Sequence, residues 1–145
     1  MRPITDRAVS EPLYTRDILR LAASIPGIVP FAELPNAVDV RSPTCGSRVA
    51  MVVETDADGR VTALRQAVEA CAFGQAAAAL VGQYAEGNSL AEARSAVDAV
   101  RAWLGGADGE PWPGMAVLDP ARSRSGRHGA ILLPFRALVA ALEAQ

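Results

Sequence analysis

Residues 48–84 read RVAMVVETDADGRVTALRQAVEACAFGQAAAALVGQY, and within this stretch the pattern changes from strand to helix. Two runs rich in β-branched and apolar residues, 48–54 and 60–68, flank the turn sequence DADG, whose glycine can supply a positive φ. They predict a β-hairpin. The alanine-rich run from Ala72 to Tyr84 predicts a helix that begins directly after Cys71.

The flanking segments add one strand and further helices to this hairpin. Upstream, a helix is predicted after Thr15 and a short strand at 37–41. Downstream, the sequence SLAE at 89–92 is a capping box that opens a helix ending before Gly105, and a short turn of helix is expected at 115–118. The final helix is predicted to begin near Pro134, a residue suited to a first helical turn.

Together these elements predict an α+β fold, a small three-stranded antiparallel sheet with helices packed on one face. The length of 145 residues suits one domain over 1–145, with residues 1–12 as a loose N-terminal leader. Hydrophobic residues make up 50% of the chain and charged residues 21%, as in ordinary folded domains.

Charge and hydropathy exclude several classes of partner. The formal net charge of −2 gives no support to binding of a polyanion, so we expect no nucleic-acid partner. Residues 1–10 hold no apolar run typical of a signal peptide, and the apolar run 76–81 is far shorter than the roughly 20 residues that span a bilayer. We therefore expect a cytoplasmic protein without membrane contact, whose two cysteines are thiols or ligands rather than a disulfide.

Reactive groups are few. The chain has one histidine and two cysteines, and it carries no phosphate-binding loop, dinucleotide fingerprint or nucleophile elbow. Cys45 lies in the loop sequence SPTCGS between two predicted strands, where proline and glycine shape a turn that could expose the sulfur. Cys71 lies at a helix N-terminus, where the macrodipole and free N–H groups favour a thiolate. Each cysteine is equally consistent with a small buried apolar residue, and His128, in the basic sequence GRHG, is more typical of a solvated side chain.

Taken in order along the chain, these pieces resemble the scaffold family formed by IscU, SufU and the N-terminal domain of NifU. The resemblance rests on the PTCG loop at 43–46 between strands, the Asp58-Gly59 hairpin and Cys71-Ala72 opening a helix. Near the end, Arg127 and the sequence LPFRAL at 133–138 are similar to the C-terminal pattern of SufU-like proteins.

The resemblance implies a site in which three cysteines and an aspartate hold a nascent iron–sulfur cluster or a single iron or zinc ion. Cys45 and Cys71 match the first two cysteines. Ser47 stands where the family has its aspartate, and Ala130 stands where it has its third cysteine. His128 lies two positions before Ala130 and is the remaining candidate metal ligand. The retained and lost ligands leave three interpretations open.

In the first, the protein is a cluster-assembly scaffold, not an enzyme, that transiently holds iron and sulfur for transfer. Its partners would be a cysteine desulfurase and cluster-acceptor proteins, and a missing ligand would come from a partner, a second copy or a small thiol. In the second, one cysteine accepts sulfur as a persulfide and relays it, with the basic stretch 122–127 facing an acidic partner. In the third, the fold is a regulatory binding module with no cofactor. The oligomeric state is not predicted.

Overall fold

The computed structural model describes residues 14–43 and 46–145, so the predicted leader and Cys45 lie outside the described residues. Within these ranges the chain forms a three-stranded antiparallel sheet and four α-helices, which confirms the predicted α+β fold. The helices are α1 (Arg16–Ala22), α2 (Ala72–Tyr84), α3 (Leu90–Leu104) and α4 (His128–Glu143), and the strands are β1 (Asp39–Arg41), β2 (Arg48–Thr55) and β3 (Val61–Glu69). Short 3-10 helices span Phe31–Glu33, Met115–Ala121 and Ser125–Arg127.

The sheet has the order β1-β2-β3, and both ladders are antiparallel. Val49 of the central strand lies opposite Val40 on one side and Val68 on the other. The outer edge of β3 is covered by the connector that follows α1, since Gln66 N–H donates to Gly27 O and Val29 N–H donates to Gln66 O, both at 2.8 Å. β1 is therefore the edge strand that no other strand covers among the described residues.

The side chain of Gln66 also joins separate parts of the fold. It is fully buried, and its Nε2 donates to Pro26 O and to Ala78 O of α2, each at 3.1 Å. Both partners are carbonyl acceptors, so the amide nitrogen has to face them. The amide oxygen is buried without a hydrogen-bond partner.

Helix starts follow the capping signals in the sequence. Thr15 Oγ1 accepts from Ile18 N–H at 3.2 Å. Ser89 and Glu92 form the predicted capping box, each side chain accepting from the other residue's backbone N–H, at 3.2 and 3.0 Å. α2 begins at Ala72 as predicted, with Cys71 as its N-cap.

The last helix departs from the prediction, because it begins at His128 and Pro134 lies inside it. Proline has no N–H to donate to the carbonyl four residues earlier, so Pro134 costs an interior helix about 3 kcal/mol. Ile131, Leu133 and Phe135 around it are fully buried, and each such side chain contributes about 1.5–3 kcal/mol. Packing of this segment therefore outweighs the proline.

The helices form one layer against the sheet. α4 is central and packs on β2 and β1, α2 packs on α4 near β3, and α3 packs on the opposite flank of α4. Between the layers lies a continuous core whose largest fully buried side chains include Ile18, Phe73, Met115, Leu118 and Phe135. None of the described helices is long and apolar enough to cross a membrane.

A glycine comparison tests the covered edge of β3. Gly27 and Gly59 both have positive φ, 69° and 77°, but only at Gly27 would a Cβ collide with a backbone atom, the carbonyl oxygen of Leu64. Gly59→Ala should lose about 1–2 kcal/mol from the left-handed conformation alone. Gly27→Ala should lose a further ~1–3 kcal/mol from the clash. Urea unfolding measures both, and equal losses would contradict the close approach of connector and strand.

A second test concerns Glu92, whose pKa is lowered by the Ser89 backbone N–H and then by Arg60, which donates to it at 2.7 Å. A lowered pKa means that the carboxylate stabilises the fold above its unfolded-state pKa, and that this contribution disappears as pH falls through the folded pKa. Glu92→Gln should therefore lower the melting temperature at neutral pH and match the wild type in acid. The control is Glu86→Gln, at an exposed carboxylate. A difference in melting temperature between Glu92→Gln and wild type that does not change with pH would contradict this account.

Candidate cysteine site

Cys71 occupies the junction between β3 and α2. It is the N-cap residue of α2, it is half-buried, and its thiol is free. Its carbonyl accepts from Gln75 N–H at 2.9 Å, but its side chain makes no capping hydrogen bond. The thiol thus does not cap the first-turn N–H groups of the helix, and the residue packs partly against the hydrophobic core.

Ala130, which the resemblance aligns with a third cysteine, lies near the first turn of α2. A Cβ built on Gly74, in the first turn of α2, would lie 3.4 Å from Ala130 Cβ, 3.2 Å from Ala130 O and 2.7 Å from Ala70 Cβ. The absence of a side chain at Gly74 thus lets the first turn of α4 approach the first turn of α2. The position that lacks a cysteine is close to the helix turn that carries Cys71.

The loop that contains Cys45 starts and ends at the same end of the sheet. Ser42 and Ser47 are buried, and Ser42 N–H donates to Ser47 O at 2.9 Å. Gly46 N–H donates back to Ser42 O at 3.1 Å, with a φ of 73° that favours glycine. Cys45 lies outside the described residues, so the shared site with Cys71 that the resemblance implies stays a prediction.

Ion pairs of one arginine connect the three strands at this end of the sheet. Arg48 of β2 donates to Asp39 of β1 and to Glu69 of β3, both at 3.2 Å, and its guanidinium lies 3.7 Å from the centre of the Phe31 ring. Arg48 faces Glu69 in the hairpin register, two residues before Cys71. This bridge is absent from the sequence-based prediction, although opposite charges that face each other across a hairpin are a usable signal.

His128 contacts the end of the 3-10 helix Met115–Ala121. Its Nε2 lies 3.1 Å from Ala121 O and 3.0 Å from Arg122 O. Carbonyls only accept hydrogen bonds, so Nε2 carries a proton, and in the neutral ring Nδ1 is the nitrogen with a free lone pair. A metal would have to bind His128 through Nδ1.

The basic stretch 122–127, which the sulfur-relay hypothesis places against an acidic partner, is exposed only in part. Arg122 donates to Trp103 O at 2.9 Å and to Ala107 O at 2.8 Å, and its guanidinium lies 4.5 Å from the Trp103 ring centre. Its polar groups anchor the end of α3, because a guanidinium can stack and donate in several directions at once. Arg124 remains exposed on this segment.

No complete metal site forms within residues 14–43 and 46–145, where no three His, Cys, Asp or Glu side chains converge on one point. Cys71 is the thiol that these ranges contribute. A tetrahedral site built on Cys71 therefore needs donors beyond those that converge in these ranges.

Solved structures share this fold over most of the chain. A crystal structure of a nitrogen-fixing NifU-like protein (N-terminal) from Brucella abortus is 31% identical with a TM-score of 0.77, and the match covers 90% of this chain and 92% of that one. A hypothetical protein (21% identity, TM-score 0.70, 90% and 97% covered) is similar in fold. So is a protein from Fervidobacterium islandicum AW-1 assigned as an iron–sulfur cluster assembly scaffold protein for the SUF system (20%, 0.66, 90% and 96%). No family model and no curated protein matches the chain.

The contact between the two helix starts can be tested at Gly74. Gly74→Ala should destabilise the protein by about 1–3 kcal/mol, because the new methyl group meets Ala70 and Ala130. It should also speed alkylation of Cys71 by iodoacetamide, since separating α4 from α2 uncovers the junction. Gly126→Ala, where nothing lies within 4 Å of an added Cβ, is the control. Unchanged alkylation in a destabilised Gly74→Ala would contradict a shared site.

Proposed function

The chain belongs to the family of IscU, SufU and NifU N-terminal domains, and on that premise we propose that it is an iron–sulfur cluster assembly scaffold that holds iron and sulfur transiently. The observation that carries the proposal is the meeting of the Cys71 junction and the start of α4 at Ala130. Two elements that are distant in sequence meet where a thiol is free to bind cargo. The cargo would be an iron–sulfur cluster or a single iron or zinc ion, the substrate of the scaffold and not a resident cofactor.

The donor set of the chain is incomplete for a stable cluster. Cys71 and Cys45 supply two thiolates, whereas Ser47 and Ala130 replace two donors. A cluster or tetrahedral ion needs about four ligands, and His128 could add one only through Nδ1. A remaining ligand would come from a partner, a second copy or a small thiol. Such a site binds weakly, which suits a protein that must release its cargo.

The proposed partners are a cysteine desulfurase that supplies sulfur and the proteins that accept the cluster. The chain itself needs no catalytic group for this role, and we propose no enzymatic activity. We propose a cytoplasmic location, where a reducing environment keeps Cys71 a thiol.

A second function is favoured by the same two replacements, because relay of sulfur needs only one thiol. In that case the Cys71 thiolate attacks the outer sulfur of a persulfide on the desulfurase. The S–S bond of that persulfide breaks, the desulfurase cysteine leaves as a thiolate, and Cys71 carries the persulfide.

Anaerobic incubation with iron and sulfide tests the scaffold function. Wild type should bind iron and show visible absorbance from sulfur-to-iron charge transfer. Cys71→Ser should lose both and remain folded, since serine is a favourable N-cap residue. Iron analysis, absorbance and circular dichroism provide the measurements. Equal iron in wild type and Cys71→Ser would rule out the proposed site.

A gain-of-ligand variant sharpens this test. Ala130→Cys should increase cluster yield and slow its loss to a chelator, because it places a third thiol at the position where the family has its third cysteine. Ser95→Cys, which adds an exposed thiol on α3, should not. If wild type binds no iron but gains one sulfur atom at Cys71 after incubation with a desulfurase, by mass spectrometry, the relay function stands in place of the scaffold. Absence of both, with full activity of a double Cys→Ala variant in cells, would favour a regulatory module.

A further inference from the structure

The free edge of β1 presents backbone groups outward. Two sets of hydrogen bonds show which residues of the sheet point their backbone groups to which neighbour. Ser42 N–H donates to Ser47 O just before β2, and the backbone of Gln66 bonds to the connector rather than to β2. Since antiparallel residues alternate between neighbours, Val40 directs its N–H and C=O to β2, whereas Asp39 and Arg41 direct theirs away. Within residues 14–43 and 46–145 no hydrogen bond engages those outward groups.

Space exists beside that edge on the helical side of the sheet. A groove of about 480 Å³ has Val40 of β1, Val97 of α3 and Val139 of α4 among its walls. α4 packs over β2 and β1, and α3 packs on its outer flank. Packed helices are about 8–10 Å apart and strands about 4.8 Å. α3 therefore overhangs the place where a fourth strand would lie.

The charges at the groove are unevenly paired. Two of its three arginines already have acidic partners on the same walls, with Arg94 2.9 Å from Glu143 and Arg101 3.6 Å from Asp98. Arg136 is exposed, and no carboxylate of the described ranges pairs with it. The groove thus has an apolar interior and one uncompensated positive charge.

We propose that the β1 edge binds an extended, acidic segment of a partner protein, which adds a fourth strand beneath α3. Its backbone pairs with the outward groups of Asp39 and Arg41, an apolar side chain packs against the valines, and a carboxylate binds Arg136. This is strand addition, in which the backbone supplies affinity and alternate side chains supply specificity. The interaction requires neither cysteine, so it can be tested independently of cluster binding.

A second copy of the chain fits this edge less well. Pairing β1 with β1 of another copy would form one continuous sheet with both helical layers on the same side. The α4 helix of the incoming copy would then occupy the space that α3 overhangs. A single extended segment brings no helical layer and avoids this clash.

The experiment titrates the wild-type protein with a short acetylated and amidated peptide of alternating valine and glutamate. Amide NMR shifts and hydrogen exchange are followed. The Asp39 and Arg41 amides should shift and gain protection as they acquire acceptors. Arg136→Glu should weaken binding by at least about fivefold through lost charge pairing. Arg41→Pro, which removes an outward donor, should weaken it as well. The same peptide with lysine in place of glutamate should bind more weakly.

Arg16→Glu, the same charge reversal at an exposed site on α1, is the matched control and should bind as wild type does. No saturable shift at the two edge amides, or equal affinity in Arg136→Glu and Arg16→Glu, overturns the proposal. Sedimentation that shows a concentration-dependent dimer lost in Arg41→Pro also overturns it, in favour of self-association. If Arg41→Pro fails to fold, the surface variant Arg136→Glu still decides the outcome.

Discussion

The buried amide of Gln66 connects the connector after α1, the edge of β3 and the middle of α2. Two hydrogen bonds of about 0.5–1.5 kcal/mol each are set against a buried, unpaired oxygen that costs about 1–3 kcal/mol. The net contribution to stability is therefore close to zero, and the effect is on geometry. Gly82 makes room, since a Cβ there would lie 3.0 Å from the amide nitrogen. Once Gln66 is placed, the height of α2 above the sheet is fixed.

The position of α2 relative to the sheet also determines where the Cys71 thiol lies. Because β3 leads into α2 at Cys71, fixing both elements fixes the thiol at one end of the sheet. The bridge of Arg48 to Asp39 and Glu69 holds the strands at the same end. α4 then meets α2 through Gly74 and Ala130. The arrangement thus depends on contacts from the sheet, from α2 and from α4.

Much of this fold was readable from local signals. The hairpin, the N-cap at Thr15 and the capping box at Ser89 are contacts between residues close in sequence, so pattern alone predicts them. The predicted start of the last helix at Pro134 was wrong, because the local preference of proline for a first turn competes with burial of its neighbours. That burial depends on long-range packing. The hydrogen bonds of Arg122 to Trp103 and Ala107 could not be predicted for a similar reason, because they depend on how α3 and the segment after it pack beside Arg122.

The candidate site was predictable only in part, since ligand positions converge through tertiary contacts. Placement of Cys71 at a helix start followed from the sequence, and the proximity of Ala130 followed from the resemblance. The Nε2 contacts of His128 followed from neither, because they depend on the 3-10 helix that ends at Ala121.

The loss of a thiol at Ala130 has a structural counterpart. With small residues at Ala70, Gly74 and Ala130, the two helix starts lie in van der Waals contact. Because these side chains are small, the two backbones come close enough to gain dispersion energy from each other, as in other closely packed interiors. Ala130 is buried at this contact, and Cys71, half-buried at the start of α2, packs partly against the hydrophobic core. The first turns of α2 and α4 thus leave room for small side chains only, and this packing constraint sets the geometry of the Cys71 junction.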